Sequence, residues 1–189
     1  MGRYITNALT QDEYKLLIST IRNGYVTEDG HKHKPNNQVA DIITLEANLG
    51  CRLGDIIKLT KDSFILDGGI WKLNIVEEKT KKKRTFIVPE KIKNFIDTIA
   101  NPDRDELFTI QEAAVWKCLR QVTSYLGMDN VSSHSARKMA AQSLMEKSDH
   151  NVAMVCQFLQ HSSISTTTRY LRYSSKQMES ALKDMVNIV

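Results

Sequence analysis

The chain has 189 residues, 41% of them apolar, and its 26 basic against 22 acidic side chains leave a net charge of +4. That length suits one sizeable core, and no run of 18 apolar residues offers a helical membrane span. The start, MGRYITNALTQDEY, lacks the features of a secretory signal, and Cys51, Cys118 and Cys156 are too scattered for a disulfide framework or a CxxC site, so a cytoplasmic protein with reduced thiols is expected.

Residues 10–22, TQDEYKLLISTIR, carry apolar positions at helical spacing behind a Thr cap, which predicts the first helix. Residues 23–38 are rich in Gly, Asn, Asp and Lys and predict a long polar loop. His31 and His33 lie in it; an HxH pair can bind metal, but no further ligand stands at zinc-site spacing, and no metal or other cofactor is expected. A mostly apolar helix is predicted over 39–50, closed by Gly50 in the left-handed conformation. After CRLGDIIKLT, residues 63–89 read as a three-stranded antiparallel meander broken at DGG and at a basic knot of Lys79, Lys81, Lys82, Lys83 and Arg84. The knot therefore falls on a hairpin tip. From Pro89 the period is helical, over 89–100, 111–126, 134–148, 151–159, about 164–172 and 174–187. The fold class expected is mainly α with a small antiparallel three-stranded sheet (α+β), as a single domain over 1–189.

Each polar candidate has an ordinary explanation. Arg52 can simply pair with Asp55 one turn on, and His134 with Arg137 can be a surface i,i+3 pair. His161 can be a satisfied buried histidine, and Tyr170, three residues before Tyr173, can be an aromatic on a buried helix face. The basic knot can be a solvated face or can track a phosphate backbone.

It is the ordered set that discriminates: LGCRLGD, then EEKTKKKR, then HSAR, then LQHSS, then a tyrosine nine positions after that histidine. From about residue 9 to the end, this resembles the catalytic domain of the tyrosine recombinases, also called the phage integrase family. The resemblance gives Arg52 and Arg137 as the two catalytic arginines, Asp55 as the supporting acid, and Lys79 as the hairpin lysine with Lys81 its rival. His134 and His161 become the catalytic histidines and Tyr170 the nucleophile, with Tyr173 left to packing. The third box more often reads LGHSS, so Gln160 stands where the family has glycine, and HSAR departs from the usual residues between His and Arg.

The resemblance implies cleavage and rejoining of double-stranded DNA through a 3′-phosphotyrosine, without metal or ATP. Two guanidinium forks would hold the phosphoryl oxygens, the lysine would protonate the departing 5′ oxygen, and His134 or a water held there would take the phenol proton. His161 would hydrogen-bond a phosphate oxygen. Lys81, Lys82, Lys83, Arg84, Lys138, Arg169 and Arg172 are the expected DNA contacts. Thr166, Thr167 and Thr168, beside a helix start at Ser165, would make an adjustable carrier for Tyr170. The family's separate N-terminal core-binding domain has no counterpart in the chain, and its terminal helix, here 174–189, would dock on a neighbouring subunit in a tetramer on DNA. Two other roles stay open: a DNA-binding accessory or regulatory protein of the same fold that has lost the chemistry, and a Xer-like resolvase of chromosome dimers in place of a mobile-element integrase.

Overall fold

A computed structural model of the chain describes residues 6–168. Tyr170, Tyr173, Arg169, Arg172 and the terminal helix expected over 174–189 lie outside the described residues. The first helix, α1 (Gln11–Asn23), begins where the sequence predicts: Thr10 Oγ1 accepts from Glu13 N at 3.2 Å and Glu13 Oε2 accepts from Thr10 N at 2.7 Å, a reciprocal cap.

The loop predicted next holds a two-residue hairpin, β1 (Tyr25–Val26) against β2 (Lys32–His33). Ring packing makes the difference. Tyr25 stacks on His33 at 4.4 Å and on Tyr125 at 4.3 Å, and His31 meets His33 edge-on, so the HxH pair is spent on ring contacts. Among the described residues, no group of three or more His, Cys, Asp or Glu is placed to hold a metal ion.

Helix α2 (Asn37–Leu49) starts two residues earlier than predicted because Asn36 Oδ1 accepts from Val39 N at 3.2 Å. It is buried around most of its circumference, on Val39, Ala40, Ile42, Ile43, Leu45, Glu46 and Leu49, and packs against α1 and the later α6 (Ser133–Lys147), which makes it the axis of the domain. Gly50 closes it at φ +58°; a Cβ there would lie 2.4 Å from the Phe158 ring, so only glycine suits the position.

A short helix, α3 (Leu53–Ile57), fills CRLGDIIKLT, and a 3-10 turn at Lys61–Ser63 leads into the sheet. Strands β3 (Phe64–Asp67), β4 (Ile70–Val76) and β5 (Lys83–Ile87) pair antiparallel in chain order, with Phe64 opposite Leu73 and Leu73 opposite Phe86. Phe64, Leu73 and Val88 enter the main core. The remaining helices are α4 (Glu90–Ile99), α5 (Glu112–Tyr125), α6 as given, α7 (Val152–Phe158) and α8 (Ile164–Thr168). Helix α8 begins at Ile164, not at Ser165, because the Ser163 hydroxyl receives Thr166 N at 3.3 Å. A mainly α domain with small antiparallel sheets results, as the sequence predicts. Among the described residues no helix is long and apolar enough to cross a membrane.

Candidate active site

Arg52 follows the left-handed Gly50 and stands in extended conformation just ahead of α3. Its Nη1 donates to Glu77 Oε2 at 2.5 Å, with 21% of the arginine side chain exposed and none of the glutamate's. Asp55 is not its partner. That carboxylate, 6% exposed, accepts instead from the backbone N–H of Glu78 at 2.8 Å. The turn after α2 and the loop between β4 and β5 therefore grip each other twice, once through each other's carboxylate.

Lys79 stands exposed in that loop, which turns through Lys81 at φ +56° and closes with Glu77 N donating to Lys82 O at 3.0 Å. Lys81, Lys82 and Lys83 are exposed along it. Arg84 is a correction to the exposed basic knot: it is turned inward, 1% exposed, and its guanidinium is already engaged inside the protein. Its Nη1 donates to Glu77 Oε1 at 3.1 Å and its Nη2 to Leu49 O at 2.8 Å, and the guanidinium lies 4.9 Å from the Phe86 ring centre and 5.7 Å from that of Phe158. An ion pair, a carbonyl and two rings satisfy it indoors. Lys138 is half-buried and reaches the carbonyl of Thr6.

Helix α6 carries the HSAR motif. Ser132 Oγ accepts from His134 N at 3.3 Å and Ser135 Oγ from Ser132 N at 3.0 Å, so His134 sits in the first turn, exposed, and Arg137 one turn on, 1% exposed. Arg137 Nη2 donates to Leu159 O at 2.7 Å and faces His161 Nε2 at 3.4 Å. Because a guanidinium only donates, His161 Nε2 is the acceptor there. Its proton then sits on Nδ1, which donates to Thr167 Oγ1 at 3.0 Å. In this arrangement His161 bridges Arg137 and Thr167.

The electrostatics tie these side chains into one site. Burial, then the charges of Arg137 and Arg52, push His161 down from 6.5 to about 4. His134, although exposed, is lowered by the partial loss of water around it where it packs into the site, and then by the charges of Arg137, Lys138, Lys79 and Arg52. At neutral pH both imidazoles are therefore uncharged, and His134 can accept a proton. Arg52, Lys79 and Arg137 thus lie within electrostatic reach of His134, and Arg52 and Arg137 within reach of His161, while Tyr170 lies outside the described residues.

Three participants escape a motif reading. Gln160 adopts φ +50°, a left-handed conformation that explains why glycine is usual there, and its Nε2 donates to Lys83 O at 3.0 Å. Glu77 is 0% exposed, and alternation along β4 continued past Val76 puts it on the inward side of Leu73 and Ile75, a signal present in the sequence. Glu46, 0% exposed on α2, has no hydrogen-bond partner among the described residues for either oxygen. Burial pushes its carboxyl well above the usual range against the pull of Arg137.

The sequence model of the phage integrase family matches residues 7–177. A tyrosine recombinase, XerA of Pyrococcus furiosus, is 24% identical over 194 residues, covering 95% of this chain and 62% of its own length. The chain thus spans about three fifths of that relative. Among solved structures, the catalytic domain of bacteriophage HP1 integrase is similar with a TM-score of 0.64 at 20% identity, covering 94% of both chains. A lambda integrase dimer bound to a COC′ core site gives 0.68 at 18% identity, over 93% of this chain and 62% of that one.

Proposed function

Because the chain belongs to the phage integrase family, we propose that it is the catalytic domain of a site-specific DNA recombinase that cuts and reseals DNA through Tyr170. The observation that supports the reading is a cluster of cations and imidazoles: Arg137 Nη2 faces His161 Nε2 at 3.4 Å, His134 and Arg137 lie one turn apart on α6, and the charges of Arg52, Lys79 and Arg137 bear on His134. A site with three cations and two neutral imidazoles is suited to a phosphodiester.

The phenol oxygen of Tyr170 attacks phosphorus, the bond to the 5′ oxygen breaks, and a 3′-phosphotyrosine forms. His134, or a water it holds, takes the phenol proton, and Lys79 gives a proton to the departing 5′ oxygen. Arg52 and Arg137 stabilise the charge gathering on the non-bridging oxygens, a role metal ions fill in other phosphoryl-transfer sites. Attack by a second 5′ hydroxyl reverses these steps and reseals the strand, since the linkage energy is conserved in the adduct. Lys81, Lys82 and Lys83 meet backbone phosphates, joined by Arg169 and Arg172, which makes binding strongly salt-dependent. Assembly of four protomers through residues 174–189 belongs to the same proposal, as does a mobile-element or resolvase role in the cytoplasm.

The test is covalent capture on nicked suicide duplexes, with sites first selected from a random library by binding. Wild type and Tyr173→Phe are expected to give a protein–DNA adduct and Tyr170→Phe none. Loss confined to Tyr173→Phe would move the nucleophile; binding without any adduct, in every form, would favour a DNA-binding protein that has lost the chemistry.

A further inference from the structure

Glu77 is given no role by the recombinase chemistry, yet it is the most heavily engaged carboxylate beside the site. Its Oε2 receives Arg52 Nη1 at 2.5 Å and Thr80 Oγ1 at 2.8 Å, and its Oε1 receives Arg84 Nη1 at 3.1 Å. Arg84 in turn is pinned to the carbonyl of Leu49 at 2.8 Å, in the last turn of the central helix. One carboxylate thus links the end of α2, the arginine turn and the loop carrying Lys79, and that loop is held again by Asp55 on Glu78 N and by Gln160 on Lys83 O.

We infer that Glu77 is a positioning residue for strand cleavage, fixing the Arg52 guanidinium and the Lys79 loop as one unit in front of the scissile phosphate. The inference rests on the recombinase reading. Three features carry it. Arg52 is partly exposed and long, so without an anchor its rotamers would scatter, and a fixed fork is what bidentate phosphate binding needs. Only Nη1 bonds a side chain among the described residues, which leaves the other edge of the fork for a phosphoryl oxygen. Glu77 also precedes Lys79 by two residues within one closed turn, so a shift of the arginine is a shift of the proton donor.

Burial tends to raise the Glu77 carboxyl, but hydrogen bonds from Thr80, Arg52 and Arg84 with the Arg52 charge outweigh it and hold it below the usual carboxylate range. The anchor is therefore a carboxylate throughout the neutral range, and the positive charge offered to phosphate is shared by a fixed trio.

The experiment is a kinetic double-mutant cycle on single-turnover adduct formation at saturating DNA, with folding checked by urea midpoint. Glu77→Gln keeps shape and hydrogen-bond capacity on one oxygen but removes the charge. It is expected to slow cleavage by about 10–100-fold, as loss of an outer carboxylate does for metal-site ligands, while DNA affinity changes by less than about threefold. Arg52→Ala/Glu77→Gln is expected to lose far less than the product of the two single losses, because the glutamate acts through the arginine and the lysine loop held with it, and only the loop's share remains once the arginine is gone. Wild-type cleavage by Glu77→Gln, or losses that multiply in the double variant, would overturn the inference. If Glu77→Gln does not fold, Thr80→Val is substituted in the same cycle; it removes one bond to the same oxygen, and a several-fold loss absorbed by Arg52→Ala is expected. If wild type yields no adduct on any DNA, the chemistry reading fails by itself. The anchoring is then judged by NMR of the Arg52 side chain, whose Nη signals should be sharp in wild type and averaged in Glu77→Gln; averaged signals in wild type would refute it.

Discussion

Two glutamates in this domain are equally buried and behave in opposite ways. Glu77 and Glu46 are each 0% exposed. Hydrogen bonds from Thr80, Arg52 and Arg84 hold Glu77 below the ordinary range against the pull of its burial, while burial lifts Glu46 well above it despite the nearby Arg137. The difference lies in hydrogen bonds: three side-chain donors reach Glu77, and among the described residues none reaches Glu46. A buried carboxylate keeps its charge where donors replace the lost water, and takes up a proton where they do not. The two arginines are therefore held by different means. Arg52 rests on an ion pair, Arg137 on the Leu159 carbonyl and His161 within helical packing.

The same substitution at the two glutamates is the widest break of that comparison. Glu77→Met leaves Arg84 buried without its counterion and is expected to cost about 3–5 kcal/mol at neutral pH. Glu46→Met replaces an unbonded carboxyl by a side chain of similar volume and is expected to gain about 1–3 kcal/mol. Urea denaturation of the two variants measures both; equal signs would refute the assignment. Since domains of this kind are stable by roughly 5–15 kcal/mol, the first effect is large enough to see in expression yield.

Acid titration sharpens it. Glu77 titrates below its unfolded value of 4.5, so its contribution is present above that pH and is lost as pH falls through the folded value. Glu46 is raised, so its contribution is full below 4.5 and is lost as pH rises through the folded value. His161 is lowered from 6.5 to about 4, so stability present above 6.5 drains away between those two pH values. His161→Asn is expected to flatten the stability profile from pH 6.5 to about 4, and Glu46→Met to steepen it, both read from urea midpoints against pH.

What the sequence discloses and what it hides divide along the same line. Helix boundaries, the three-strand meander and the motif positions follow from caps, periodicity and turn residues, as at Thr10, Gly50 and Gly68–Gly69. Ordered motifs also single out Arg52, His134, Arg137 and His161, because the proposed chemistry needs those residue types. Arg84 misleads because a run of five cations in six residues looks like one exposed patch, yet alternation puts it on the inward side of Phe86 and Val88. Glu77 is hidden by the same habit of reading charge as surface. The hairpin at Tyr25–His33 is missed since its stability comes from Tyr125, a hundred residues away, and no local pattern carries a long-range ring stack.

The smallest effect concerns the residue where the chain leaves the family pattern. Gln160 pays for a left-handed backbone by about 1 kcal/mol relative to glycine, while its side chain ties Lys83 O to the turn before His161. Glycine would remove the strain and the bond together, and a net bond of this kind is worth about 0.5–1.5 kcal/mol. Gln160→Gly is therefore expected to change stability by less than about 1 kcal/mol. Its mark should be on motion: amide hydrogen exchange in the loop over 77–83 should quicken, since one of the loop's three anchors has gone while the Glu77 and Asp55 anchors remain. Unchanged exchange with unchanged stability would assign the loop's order to the two acidic anchors alone, and so make the contrast between Arg52 and Arg137 sharper still.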